Sequence, residues 1–467
     1  MNLVSKSGTA LMVVAAVAGC GGPVDKAGGS QTPGPVTLTI ATPILEESQP
    51  FVDEVGRVSK GSIHLEIVHR PTTGTTEAEL IRSVEAGEVD LAVVPARAWH
   101  ARGIKDFDAL VAPMAVDSFA LQQKVLASDL ATGMLTSVDT IGLAGIGILP
   151  GTMRRPVGIT RKLLGPADFR GARIGFSLSD VGARSLQALG ATTVPSVFGG
   201  TPLTGMDGLE HQVTHIQAEG YDTVARTITA NVSLWARPLV VVANGKKLGA
   251  GQADVLRKAA NAAVQSTAEL QRNAETEAAA VLCRRGKLQF VTASAAQIQQ
   301  LHAAFEPVYT WLREDPKTRS NLDRIQELRA QLPAASTDKA LTCPAVGPSV
   351  GTAASKLDGV YETSFTKAEL AASPLLYDQG EVNDDENWGD LTLTIKEGQV
   401  SLSQRGGFSD TGTCTVQGDT VRLTYSGTGE TFGFHWNLFR DTLTFRRDDA
   451  LGVGPTTYLV KPWRRVG

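Results

Sequence analysis

The chain has 467 residues, of which 42% are hydrophobic, and a formal net charge of −4. The length exceeds one ordinary domain, so two or three are expected, and the apolar content is ample for packed cores. The small charge, with no basic stripe or aromatic-rich basic patch, argues against nucleic acid as a main partner.

The first segment reads as an address. Lys6 supplies a positive start, and Ala10 to Ala18 is an apolar run too short to span a bilayer as a helix. It ends in Val17-Ala18-Gly19-Cys20, small residues before a cysteine. That ending resembles the lipobox of bacterial lipoproteins, in which the peptide is cut before the cysteine and lipid is attached to its sulfur. The resemblance implies a signal peptide over 1–19, lipidation at Cys20, and a place on the outer face of the cytoplasmic membrane. An ordinary signal peptide with an incidental cysteine is the alternative. Residues 20–35, rich in Gly, Pro, Ser and Thr, suit a flexible tether and favour the anchor.

Val36 to Ala41 alternates apolar and polar residues as a strand does. A helix is predicted around Pro50 to Val58, then a strand over Ile63 to Val68. The stretch Glu77 to Glu85 carries Leu80, Ile81 and Val84 at helical spacing and is closed by Gly87. Asp90 to Val94 then reads as a buried strand. Alternating strands and helices imply a parallel sheet whose loops gather at one edge. Those loops hold Thr42, Thr73, Thr75, Arg97 and Trp99. Of these, Thr42, Thr73 and Trp99 are taken as candidate ligand contacts, with loop or core packing as the competing explanation for each.

The second strand–helix–strand unit is the pivot of the chain. Gly165-Pro166-Ala167-Asp168-Phe169-Arg170-Gly171 turns into a strand carrying Ile174 and Phe176, and a helix follows over Val181 to Leu189. The loop Ser177 to Asp180 sits where open α/β sheets bind ligands. Leu239 to Ala243 reads as a strand able to cross back between lobes, which would make a hinge. Gln252 to Cys283 lacks proline and internal glycine and is predicted as one long helix. Ile298, Leu301, Phe305, Val308 and Leu312 form the apolar face of another.

Several of these stretches carry a resemblance in order and spacing. They include Gly87-Glu88-Val89-Asp90-Leu91-Ala92, Ala167-Asp168-Phe169-Arg170-Gly171-Ala172-Arg173-Ile174, Leu189-Gly190-Ala191-Thr192 and Trp235-Ala236-Arg237-Pro238-Leu239-Val240. Over roughly 37–330 the chain resembles the extracytoplasmic solute-binding proteins of TRAP transporters, the DctP-like family. The resemblance implies two lobes that close on a small molecule, a helix running across both lobes, and delivery to membrane permease subunits.

The resemblance also implies a departure. The family's arginine that pairs with a ligand carboxylate falls on Gly175, a second one falls near Leu149, and an asparagine falls near Ala218. Each charge-assisted hydrogen bond contributes about 1.5–3 kcal/mol, so losing two weakens a carboxylate ligand by roughly two to four powers of ten. A neutral, less polar or larger ligand is therefore expected. The candidate contacts in this lobe are Arg154, Gly175, Ser177, Ser179, Phe198, Glu219, Tyr221 and Trp235.

Residues 331–355 read as a linker. Beyond them, Leu391, Leu393, Ile395, Val400, Leu402, Val421, Leu423, Phe432, Phe434 and Trp436 alternate with polar residues between turn signals, as in an antiparallel barrel or sandwich. Leu357-Asp358-Gly359-Val360-Tyr361 and Lys461-Pro462-Trp463-Arg464-Arg465 resemble the lipocalin-like β modules of some lipoproteins. With Cys20 lipidated, three cysteines remain, and a Cys283–Cys343 bridge would staple the linker to the long helix and leave Cys414 free.

The fold class expected is α/β. It comprises a two-lobed periplasmic-binding-protein-like body over 36–330 and a small antiparallel β-barrel over 356–467. Within the body, lobe one spans about 36–140, lobe two about 141–245 and a helical brace about 246–330. No phosphate loop, nucleophile elbow, His-Glu-x-x-His or Cys-x-x-Cys is present, so no enzyme, cofactor or metal site is expected. His211 and His215 are read as a surface helix face, and Asp384-Asp385-Glu386 as a solvated acidic turn. The function expected is solute capture for a TRAP-type transporter. The alternative is a surface sensor or scavenger whose barrel binds an apolar ligand or a partner protein.

Overall fold

A computed structural model describes residues 34–70, 76–195, 203–333, 340–343, 356–373, 375, 379–427, 431–447 and 455–467. Cys20 and the tether before residue 34 lie outside the described residues.

Strand β1 (Val36–Thr42) leads into helix α1 (Leu45–Val58), then β2 (Ile63–His69), α2 (Glu77–Glu85) and β3 (Leu91–Pro95). The first helix begins a turn earlier than Pro50. Proline removes only one of its hydrogen bonds, and Phe51 and Val55, both fully buried, hold it on the sheet. The second helix starts where Thr76 and Glu79 form a reciprocal capping box. Short helices α3 (Phe119–Leu126) and α4 (Asp129–Leu135) precede β4 (Leu143–Leu149).

The chain then builds a second sheet. Its elements are β5 (Met153–Gly158), α5 (Pro166–Phe169), β6 (Arg173–Phe176), α6 (Asp180–Ala188), β7 (Thr192–Pro195), β8 (Gly208–His211), α7 (Val213–Ala218), β9 (Thr227–Thr229) and β10 (Trp235–Ala236). Strand β11 (Leu239–Asn244) returns to the first sheet and runs antiparallel between β3 and β4, giving the order β2-β1-β3-β11-β4. A lobe boundary at about 140 therefore falls too early, because β4 belongs to the first sheet. The apolar run Leu143 to Leu149 matches β11 as a doubly covered strand, and pairing decides where it sits.

Helix α8 (Gln252–Arg285) has 34 residues, about 50 Å at 1.5 Å per residue. Leu256, Ala259, Ala260 and Ala263 pack in the first lobe's core, while Ala278, Ala279 and Leu282 pack in the second's. The approach is close: a Cβ on Gly147 of β4 would lie 2.3 Å from that of Ala260. Arg155 of β5 fastens the same helix through two 3.1 Å bonds to Glu275, with both side chains buried. Strand β12 (Gln289–Val291) completes the second sheet, α9 (Ala295–Leu312) covers the second lobe, and α10 (Pro316–Ala330) covers the first. A disulfide joins Cys283 to Cys343.

The last eight described strands close into an antiparallel barrel: β13 (Gly359–Phe365), β14 (Gly389–Lys396), β15 (Gln399–Gln404), β16 (Ser409–Gln417), β17 (Thr420–Tyr425), β18 (Thr431–Phe439), β19 (Thr442–Arg447) and β20 (Trp463–Arg465). Its interior is filled by Tyr361, Leu393, Phe434, Leu443, Tyr458 and Trp463, all fully buried. Closure leaves no sheet edge to pair with another chain. Among the described residues no helix is long and apolar enough to cross a membrane.

Candidate functional site

A cavity of about 390 Å³ lies between the lobes, a size suited to a small-molecule ligand. The first lobe supplies Ile44 after β1, Thr76, Glu77 and Ala78 at the start of α2, and Arg97, Ala98 and Ala101 after β3. From the second lobe come Arg154 of β5, Ser177 to Asp180 between β6 and α6, His211 and Gln212 at the end of β8, and His215 of α7. Arg237 stands at the crossover into β11.

Each wall arginine is matched with a carboxylate. Arg154, 2% exposed, pairs through Nε with Glu210. It also donates to Gln212 Oε1 at 2.7 Å and Ser177 Oγ at 2.9 Å. The backbone N–H of Ser177 donates to Glu210 Oε1 at 2.8 Å, which fixes the loop after β6. Arg237 places Nη1 on both oxygens of Glu47, at 2.6 and 2.5 Å. Arg97 joins Glu77 through Nη2. The partners lie 20, 56 and 190 positions apart in the chain. Three guanidiniums are thus offset by three glutamates, and Asp180 adds a further negative charge on the lining. Burial lowers the Arg97 guanidinium to about 10, with Glu77 opposing the shift and the nearby Arg154 and Arg237 reinforcing it.

His211 and His215 do not form a surface helix face. His211 ends strand β8, is buried, and lines the cavity together with half-buried His215 of α7, their ring centroids 5.5 Å apart. The i, i+4 spacing alone did not reveal that a strand ends between them. Burial, and next the Arg154 charge, push His211 well below its ordinary range; burial with Arg237 and Arg154 takes His215 down to about 3. Both imidazoles are neutral, able to donate and accept without adding charge. Among the described residues no cluster suits a metal ion.

Of the candidates read from the sequence, Arg154, Ser177 and Ser179 line the cavity. Ser179 also caps α6, accepting from Gly182 N–H at 3.1 Å. Thr42 shapes the loop beneath, donating to Ile44 C=O at 2.9 Å and bonding Ser48 Oγ at 2.7 Å. Trp99 is buried against Phe107, with ring centroids 5.8 Å apart. Gly175 lies within β6, in register with Val194 and Leu209. Tyr221 sits one layer back, 5.7 Å from the His211 ring. Trp235 packs in the second lobe's core, and Glu219 ends α7 close to Arg446 of the barrel. None of these six is on the cavity wall. Thr73 and Phe198 lie outside the described residues. The sequence reading left out Glu77, Arg97, Gln212 and Arg237 as site residues. Arg237 could have been found, because it sits just before the strand expected to cross between lobes.

Residues 37–315, more than half of the chain, match the family described as bacterial extracellular solute-binding protein, family 7. No curated protein sequence matches the chain. Among solved structures, a TRAP periplasmic solute-binding protein from Shewanella oneidensis with bound succinate aligns with a TM-score of 0.56 at 18% identity, covering 63% of this chain and 99% of that one. Another from Xanthobacter autotrophicus Py2, with bound β-D-galacturonate, gives 0.55 at 20% identity over 62% and 99%. A third, from Pseudomonas aeruginosa PAO1 with bound L-malate, gives 0.53 at 16% over 59% and 99%. These likenesses establish a shared two-lobed fold, and the barrel is additional to it.

Proposed function

The chain belongs to family 7 of the bacterial extracellular solute-binding proteins, and on that premise we propose that it captures a small molecule between its lobes for a TRAP-type uptake transporter. Members of this family are extracytoplasmic binding proteins that work with membrane permease subunits. Held by lipid on Cys20, this one stands on the outer face of the cytoplasmic membrane and hands its closed form to the permease.

The ligand is not a small carboxylate. The observation that carries this reading is the matching of Arg97, Arg154 and Arg237 with Glu77, Glu210 and Glu47. The relatives bind succinate, malate and galacturonate; here an incoming carboxylate finds every wall guanidinium already offset. Breaking a buried ion pair to make another returns little. Native mass spectrometry of protein purified under mild conditions, with a thermal-shift panel, tests the reading. A ligand at 100 times its Kd stabilises by about 2.7 kcal/mol, enough to move the melting temperature by several degrees. Tight binding of succinate or galacturonate sinks it. The alternative, a sensor whose barrel takes an apolar ligand, has less support, because side chains fill that interior.

A further inference from the structure

The polar network of the cavity presents almost no surface to its interior. Arg154, His211, Gln212 and Arg237 line the wall, yet each is only 1–4% exposed. The Nε and Nη1 atoms of Arg97 are buried as well. Thr76 caps α2, Ser179 caps α6 and Glu77 holds Arg97. Asp180 lies in the first turn of α6, where its charge meets the helix N-terminus.

What the wall offers instead is mainly carbon. Leu178 is 71% exposed, although Ser177 and Ser179 on either side of it are 8% and 9% exposed. One exposed leucine by itself says little. This one belongs to a set: Ile44, Ala78, Ala98 and Ala101 of the first lobe and Ala183 of the second line the same cavity, and none of them is buried.

Resting on the reading of this cavity as the solute site, we propose that it takes an uncharged molecule with a hydrocarbon body and selects it through Leu178. A charged head entering here sheds its water and finds the wall's guanidiniums and glutamates already paired. An apolar body gains from every carbon it covers. The apolar residues stand on both lobes, so such a body is covered from two sides when the lobes close.

1-Butanol, 1-hexanol and 1-octanol share one head and differ in chain length. Calorimetric titration of the full chain is expected to show affinity rising about fourfold per added methylene. Hexanoate and hexylamine, which keep the chain of 1-hexanol and add a charge, should each bind about tenfold or more weakly than 1-hexanol. No rise with length, or a charged probe binding as tightly as 1-hexanol, overturns the ligand class. Leu178→Asn, at an exposed position, is expected to keep the melting temperature of the parent and to lower 1-octanol affinity about tenfold. Ala101→Asp, exposed on the facing wall, should give a second loss by placing a charge there. Unchanged affinity in Leu178→Asn overturns the role of Leu178, and unchanged affinity in both places the alcohol outside the cavity and overturns the proposal. Native mass spectrometry of mildly purified protein separates this failure from that of the wider reading. A co-purified charged or polyhydroxylated molecule in the cavity overturns the apolar class alone, whereas unliganded protein that binds none of the five probes overturns both.

Discussion

Arg285, the last residue of the long helix α8, reaches the carboxylate of Asp419 in the turn between β16 and β17. It also holds Asp222 of the second lobe at 3.1 Å, while His435 Nδ1 lies 2.9 Å from Asp419. One guanidinium therefore ties the helix, the lobe and the barrel, close to the Cys283–Cys343 bridge.

Burial alone would raise the Asp419 carboxyl, but the His435 hydrogen bond and the Arg285 charge outweigh it and lower it to about 2. A depressed carboxyl contributes stability above its unfolded value of about 3.9, and this is lost as pH falls through the folded one. The barrel junction is thus expected to loosen between about pH 4 and pH 2. Asp419→Asn should weaken it by about 1–3 kcal/mol at neutral pH and remove that acid step. Limited proteolysis of the linker across a pH series checks both.

The Arg155–Glu275 pair fixes α8 to β5 inside the body, with both groups buried. Glu275→Gln leaves the guanidinium without its countercharge and is expected to cost about 3–5 kcal/mol. Replacing both residues by apolar ones of similar size should recover most of that loss. Denaturant unfolding of the two variants decides the point; equal losses in both would refute it.

Reduction of Cys283–Cys343 opens a loop with a sequence separation of 60 and is expected to cost about 2–4 kcal/mol. Non-reducing peptide mapping should recover the two cysteines in one linked fragment. Cys414, buried in the barrel with its thiol pushed up to about 11, should react slowly with alkylating reagents until the barrel unfolds.

His211 and His215 stay neutral in the folded state where the unfolded chain, with values near 6.5, binds protons. A histidine with a depressed value favours folding above its unfolded value, so stability is expected to fall as pH drops from about 6.5 toward 3. Each contributes at most about 1.4 kcal/mol per pH unit, less where solvent reaches it. His215→Gln should flatten that slope, measured as melting temperature against pH. Ligand affinity near neutrality should change little over the same series, since neither ring gains a proton there.

Much of the scaffold was legible because it is local. The alternation in β1, the capping box before α2, the uninterrupted run of α8 and the hairpin turns of the barrel are each set by neighbours in sequence. Ser177 and Ser179 were legible for the same reason: a loop after a buried strand points to a sheet's ligand edge. The wall pairs were not, because Arg237 meets Glu47 across 190 positions and no periodic pattern encodes that meeting. Trp99 and Trp235 look alike as ligand or core residues until packing is known, and both are core. Ile174-Gly175-Phe176 holds its place in the second sheet, with the charge of the site carried by other elements, among them two strands, two helices and the crossover into β11.

The return of β11 into the first sheet has a consequence for how such a chain can be rearranged. Since β4 and β11 complete one lobe, while the other takes β5 to β10 from between them and β12 from beyond α8, neither lobe is a contiguous stretch of the gene. A fragment ending at 140 would keep β3 but lose the strand beside it, baring a fully buried apolar edge that invites aggregation. Recombination between relatives must therefore carry both lobes together, whereas the barrel, encoded after them as one uninterrupted block, can be gained or lost whole.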